Sequence, residues 1–363
     1  MRSWEVCDSM AKILIKNGRV WDGERFFDAD VLTDEEQIAQ IRPNITEPAE
    51  FVYDAKGKTV SAGLVDAHVH MRGLNKKFGI HAELSSIPFG VTAAADAGAA
   101  CGDKALLDTF LLKNVVFVSP TFQNNRAIFD SMEKRLEAYG EKAVGIKVYF
   151  DTTVSDIQNI QPLCRVVEYA EKKDLRIMVH SSNSPVPMAE LLGTLRKGDI
   201  LTHAYHGGKN NVSEDEYECI KEAKRRGVII DAGFAGHVHT DFKVFGKAVH
   251  CGAIPDVIST DITKFSAYTR GGRYGMTMCM NIARTLGMQE EDIFRAVTSN
   301  PAKALGKSDE WGYLRVGRIA DIAVLDYTDE GFDLTDKAGN HIGSQKGYRC
   351  VLTVSDGQVV YRN

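Results

Sequence analysis

The sequence predicts an α/β fold: a (β/α)8 TIM-like barrel with a small β-sandwich domain built from both termini. Three observations carry this. Eight short apolar, β-branched runs recur through the middle of the chain, helical patterns separate most of them, and the two ends are strand and turn without helix.

In order, the runs are TVSAGLVDAHVH (59–70), GVTAAADA (90–97), VVFVSPTF (115–122), AVGIKVYF (143–150), RIMVHSS (176–182), DILTHAYH (199–206), VIIDAGF (228–234) and PDVISTDI (255–262). Segments such as 163–172 and 216–226 show helical spacing of apolar residues between them, the pattern of parallel strands joined by crossover helices. RTLGMQEEDIFRAVTSNPAKALG reads as two consecutive helices, the second ended by Asn300-Pro301 and a further turn. The flanks KILIKNGRVWD and YDAKGKTVS, then GYLRVGRIADIAVLDYT and CVLTVSDGQVVYRN, predict that residues 11–60 and 311–363 form the sandwich around a barrel at 61–310. Residues 1–10 read as a leader or a loose tail.

A chain of 363 residues, 44% hydrophobic and 26% charged, is sufficient for one large barrel and a small companion. Its formal charge of -5, with Lys and Arg scattered, argues against a nucleic-acid partner and for a small-molecule substrate. Seven dispersed cysteines without a Cys-x-x-Cys pair suggest neither a disulfide framework nor a cysteine metal site. No apolar run approaches a membrane span or a signal peptide, so a cytoplasmic location is expected, with no membrane partner and room for a homo-oligomer.

Reacting groups in barrel enzymes sit at the carboxyl ends of the strands. His68 and His70 end the first run, Lys147 lies late in the fourth, His180 near the end of the fifth, His203 in the second half of the sixth and Asp261 at the end of the eighth. In a strand, His-x-His places both imidazoles on one face, as a metal requires. A second such pair, His237 and His239, follows two glycines in an expected loop and is set aside. Lys147 reads either as a buried functional amine or as an outward lysine whose stem snorkels between barrel and helix. Tyr149 and Asn183 are substrate contacts by position at the same rim, Arg72 is open to a surface salt-bridge role, and Cys101 and His206 fit space-filling or supporting roles. Met276, Met278 and Met280, beside Gly271, Gly272 and Gly275, read as core packing at a helix start.

The series DAHVH, IKVY, VHSS, LTHA and STD, followed by TSNPAKALG and GYLRVGRIADIAVLD, resembles the amidohydrolase superfamily from about residue 11 to the C-terminus. Within it, the pattern is similar to dihydroorotase-like enzymes with two metals bridged by a carboxylated lysine, and GVTAAADAG resembles the amidohydrolase/deacetylase group. The resemblance implies two divalent metal ions, zinc first among them. His68 and His70 would hold the more buried ion and His180 and His203 the more exposed one. Carboxylated Lys147 would bridge them, and Asp261 would act both as ligand and as catalytic proton carrier. Arg72 matches the arginine that grips a substrate carboxylate in dihydroorotases, but their Pro-Asn signature is replaced by Asp96, Ala97 and Gly98.

The function implied is hydrolysis of an amide or ester of a small molecule, deacetylase-like, by water activated between two metals. Cyclic-amide hydrolysis of the dihydroorotase type, nucleobase deamination and a catalytically silent scaffold stay open as alternatives.

Overall fold

The structure, a computed structural model, describes residues 12–71, 79–99, 104–268 and 274–363. Arg72, Cys101, Gly271, Gly272 and residues 1–10 lie outside them.

Seven parallel strands run in sequence order around the barrel: Leu64–Val69, Val91–Ala99, Lys113–Val118, Ala143–Tyr149, Arg176–His180, Ile200–Thr202 and Ile229–Ile230. The eighth run is not a regular strand. It closes the ring through two isolated parallel bridges, Asp231 to Val257 and Val69 to Ile262. Backbone bonds at the seam include Ala232 N to Val257 O at 3.0 Å and Asp261 N to His68 O at 2.7 Å.

Alternation along each strand sorts the side chains into two sets. Ile146, Val148, Ile177, Val179 and Leu201 join the apolar layer under the outer helices. Val65, Ala93, Val115, Phe117, Met178 and Ile200 belong to a second cluster, with Ala302, Leu305 and Trp311, at the other end of the strands from the histidines. The outer helices follow the same logic. Helix Gln161–Lys172 buries Pro162, Leu163, Val166 and Ala170 at helical spacing. Glu218–Arg226 buries Cys219, Ile220 and Ala223 and ends with three basic residues before Gly227 in the left-handed conformation.

Both ends of the chain enter one mixed sheet. Its order is Gln358–Arg362, Gly347–Ser355, Ile322–Thr328, Thr59–Ala62, Ile13–Trp21, Phe26–Asp34 and Gln37–Arg42, with Phe51–Asp54 also paired to Ile13–Trp21. This sheet has its own apolar cluster, including Ile15, Val20, Val31, Val60, Ile322 and Leu352.

Three expectations need correction. The run 59–70 is two strands, because Gly63 separates Thr59–Ala62 of the mixed sheet from Leu64–Val69 of the barrel. A side chain at Gly63 would collide with Thr92 of the next strand. The third strand stops at Val118, since Pro120 has no N–H to extend the ladder, and Thr121–Gln123 pairs instead with Arg126–Ile128. Asn300-Pro301 does not end the second helix: Glu290–Val297 ends first, and Pro301 lies in the first turn of Ser299–Ala304, where a missing N–H costs little. Met276 and Met280 are buried on helix Met276–Thr285, as core packing requires.

Candidate metal centre

At the carboxyl ends of the strands the inward positions turn polar. Lys147 lies between the outward-facing Ile146 and Val148, so alternation drives its side chain into the barrel, where it is fully buried. This settles its direction against the snorkelling alternative. Its Nζ lies 3.0 Å from His68 Nε2.

Several hydrogen bonds orient the histidines. The Thr202 hydroxyl donates to Asp231 Oδ2 at 2.7 Å, so Thr202 Oγ1 in turn accepts from His68 Nδ1, 2.9 Å away. That fixes the His68 proton on Nδ1 and turns the Nε2 lone pair toward Lys147 and Asp261. His203 Nδ1 donates to Gly233 O at 2.6 Å, leaving a buried Nε2 with no hydrogen-bond partner. His180 Nε2 donates to Asp151 Oδ2 at 3.0 Å, which leaves Nδ1 as its lone-pair nitrogen. Partners of this kind orient metal-binding imidazoles.

The local backbone is shaped around these contacts. His203 (φ 60°) and Asp261 (φ 45°) both occupy the left-handed region, a strained state that concentrates at functional sites. Gly233, at φ 53°, has no alternative, because a Cβ there would stand 2.6 Å from His203 Nδ1.

Two sets of ligand-type atoms each fall within 4.8 Å of one another: His68, His203 and Asp261, and His180, His203 and His239. His70 joins the first through Nε2, 2.8 Å from Asp261 Oδ1. The structure therefore brings His68, His70, Lys147, His180, His203 and Asp261 to one place. It adds His239, which sequence reasoning set aside. The chain after Gly233 folds back over the rim, where the His239 ring packs tilted against His203 at 4.3 Å between centroids and shares a hydrogen bond at Nδ1 with Ser182 Oγ, 2.8 Å away. The available signal was the second His-x-His itself.

Asp151, Thr202 and Asp231 were also missed, although Asp231 directly follows the seventh strand, Ile229–Ile230. Of the expected substrate contacts, Asn183 donates to Asp151 Oδ2 at 2.8 Å and so braces the His180 pair. Tyr149 OH donates to Ala97 O at 3.2 Å.

Burial dominates the electrostatics. It pushes the Lys147 amine down to about 7, against the pull of Asp261 and Asp231. Burial, reinforced by Lys147, pushes His68 down to about 4. His203 is held well below its usual range by burial and by the neighbouring His239 and His180. Burial works in the opposite sense on Asp261, but His68 and His70 outweigh it and keep the carboxylate ionised.

The donor set fits divalent metal ions. Neutral imidazoles with fixed tautomers direct lone pairs into one buried space beside an ionised carboxylate, and the His203 Nε2 has no partner there.

A parallel barrel whose carboxyl rim gathers histidines and aspartate around a buried lysine is the arrangement of the metal-dependent barrel hydrolases. The chain belongs to the amidohydrolase family, whose model matches residues 59–360. It is 27% identical to a deacetylase of Enterococcus faecalis over 96% of this chain and 98% of that protein. It is 28% identical to a deacetylase of Brucella anthropi over 84% of this chain and 80% of that protein. A crystal structure of a dihydroorotase matches its fold with a TM-score of 0.86, 22% identity, and coverage of 97% of this chain and 99% of that one. Among the described residues no helix is long and apolar enough to cross a membrane.

Proposed function

We propose that this protein is a deacetylase-like amidohydrolase that hydrolyses an amide or ester bond of a small N-acyl or O-acyl compound. The observation that carries the reading is the convergence of oriented histidine lone pairs on ionised Asp261, with Lys147 buried beside them. The similarity to deacetylases along most of the chain supports the acyl class.

His68, His70 and Asp261 would hold one divalent ion, and His180 and His203 the second, with His239 placed to join it. Reaction of Lys147 with carbon dioxide would replace an amine by a carboxylate-like bridge, which suits two dications where an ammonium would be repelled. When bound, such ions supply Lewis acidity that polarises a carbonyl and lowers the pKa of water.

The chain's own residues do the rest. Asp261 takes the proton of the attacking water on its carboxylate and returns it to the leaving nitrogen or oxygen. Thr202 and Asp231 keep the His68 tautomer, Gly233 O keeps that of His203, and Asp151 with Asn183 keeps that of His180. The lowered affinity of Lys147 for protons leaves a neutral amine accessible near neutral pH, the form that reacts with carbon dioxide.

The test is elemental analysis of protein grown with ample zinc or manganese, with turnover of a panel of N-acetyl and O-acetyl compounds before and after chelation. Two metal ions per chain and chelator-sensitive deacetylation are expected. One ion or none, or turnover that survives chelation, would refute the binuclear reading, and dihydroorotate turnover above that of every open-chain compound would move it to cyclic amides.

A further inference from the structure

Strands Ile322–Thr328 and Gly347–Ser355 are antiparallel neighbours in the mixed sheet, and a short turn would suffice to join them. Instead, residues between them form a second hairpin, Phe332–Thr335 with His341–Ser344. Its tip is fastened to the barrel rim. Buried Asp336 accepts from Phe242 N at 2.8 Å, and Asn340 Nδ2 donates both to Asp336 Oδ2 at 2.8 Å and to Asp241 Oδ1 at 3.2 Å. Leu334 and Ile342 pack against the main core.

This anchoring sets Lys337 and Ala338 in the wall of a cavity of about 260 Å³ whose other lining residues include Asn183, His206, His239 and Thr240. Through His239 the cavity adjoins the histidine cluster.

The cavity is rich in donors. Gly208 N lies 3.1 Å from His206 Nδ1, and a backbone amide can only donate, so that nitrogen accepts and the ring carries its proton on Nε2. His206 Nε2 and Thr240 Oγ1 are both buried without a hydrogen-bond partner, on residues that are each 3% exposed. Asp241, the acidic residue of the lining, is already engaged: its Oδ1 accepts from Lys243 N at 2.9 Å and Val244 N at 3.1 Å as a helix cap. Three residues of the lining, Lys337, His206 and Thr240, thus carry an ammonium, an imidazole N–H and a hydroxyl, the donor set that suits an oxyanion.

We propose that Lys337, carried to the rim by the C-terminal hairpin, reads a carboxylate on the substrate, with His206 and Thr240 as its hydrogen-bonding partners. The inference rests on the acyl-hydrolase reading for what else the substrate contains, but the binding site stands apart from the hydrolytic step.

The experiment separates the two. Binding of N-acetyl-L-alanine and of its carboxamide to metal-loaded protein is measured by calorimetry in wild type, Lys337→Met and Thr240→Val, and hydrolysis of the same pair is followed in parallel. Wild type should bind the carboxylate roughly 10-fold more tightly than the carboxamide. Lys337→Met should abolish that preference, and Thr240→Val should reduce it. Equal binding of the two compounds, binding of neither, or a preference that survives Lys337→Met would overturn the proposal. A carboxylate preference that depends on Lys337, without hydrolysis of either compound, would uphold it while refuting the deacetylase reading.

Discussion

Two layers of the barrel, built by the same strands, differ in almost everything but geometry. Met178 and Ile200 lie in the apolar plug, while His180 and Thr202, two residues further along the same strands, enter the polar cluster. A step of one pleat repeat thus separates packing from chemistry. The plug layer is satisfied by dispersion and burial alone. The rim layer buries Lys147, Asp231 and Asp261, groups that are unfavourable in a core unless paired or bound to metal.

If this division of labour holds, a change at the rim should damage turnover far more than stability. Asp261→Asn keeps the shape of the side chain and removes its capacity to carry a proton, so turnover is expected to fall by roughly 10² to 10⁴. Circular dichroism should stay that of wild type, and activity within about threefold of wild type would remove Asp261 from proton transfer.

A second contrast is the pH dependence of the metal-free protein. Burial lowers the folded-state value of Lys147 from 10.5 to about 7, so between these limits the unfolded chain binds more protons than the folded one. Stability from this group is therefore fully present above about 10.5, is lost as pH falls toward about 7, and loses no more below that. Urea midpoints of the chelated protein should rise with pH across this window, and Lys147→Met should flatten the rise and be the more stable protein at pH 7. Asp66, raised by burial to about 7, acts in the opposite sense at lower pH and is common to both proteins, so the difference between them isolates Lys147. Parallel curves for wild type and Lys147→Met would show that the buried amine carries no such penalty.

The smallest expected effect lies in the plug. Ile200→Val removes one buried methylene and should cost about 0.5 to 1.5 kcal/mol of stability, read from the urea midpoint. Turnover per folded molecule should stay within twofold, and a tenfold loss would show that the two layers are mechanically coupled.

Much of the rim was legible because it obeys local rules. His68, His70, Lys147, His180, His203 and Asp261 fall late in apolar runs, where a barrel exposes its reacting groups, so order along the chain was enough to collect them. His239 did not follow that rule. It comes from a loop that returns over the rim, and a His-x-His beyond two glycines has no periodicity to say where it goes. Thr202 and Asp231 look like ordinary strand residues until the chain of hydrogen bonds to His68 is traced.

By itself the sequence determined the parallel order of the strands and six of the ligand-type residues at the rim, His68, His70, Lys147, His180, His203 and Asp261, but not His239. These depend on periodicity and residue chemistry, both local. Tertiary structure decided that Thr59–Ala62 leaves the barrel for the mixed sheet, that the eighth run closes the ring by bridges alone, and that Lys147 points inward. It also decided that a hairpin more than a hundred residues downstream of His206 brings Lys337 to the same cavity. Such contacts join segments remote along the chain, and their free energy depends on the packing of both partners, which no local pattern records.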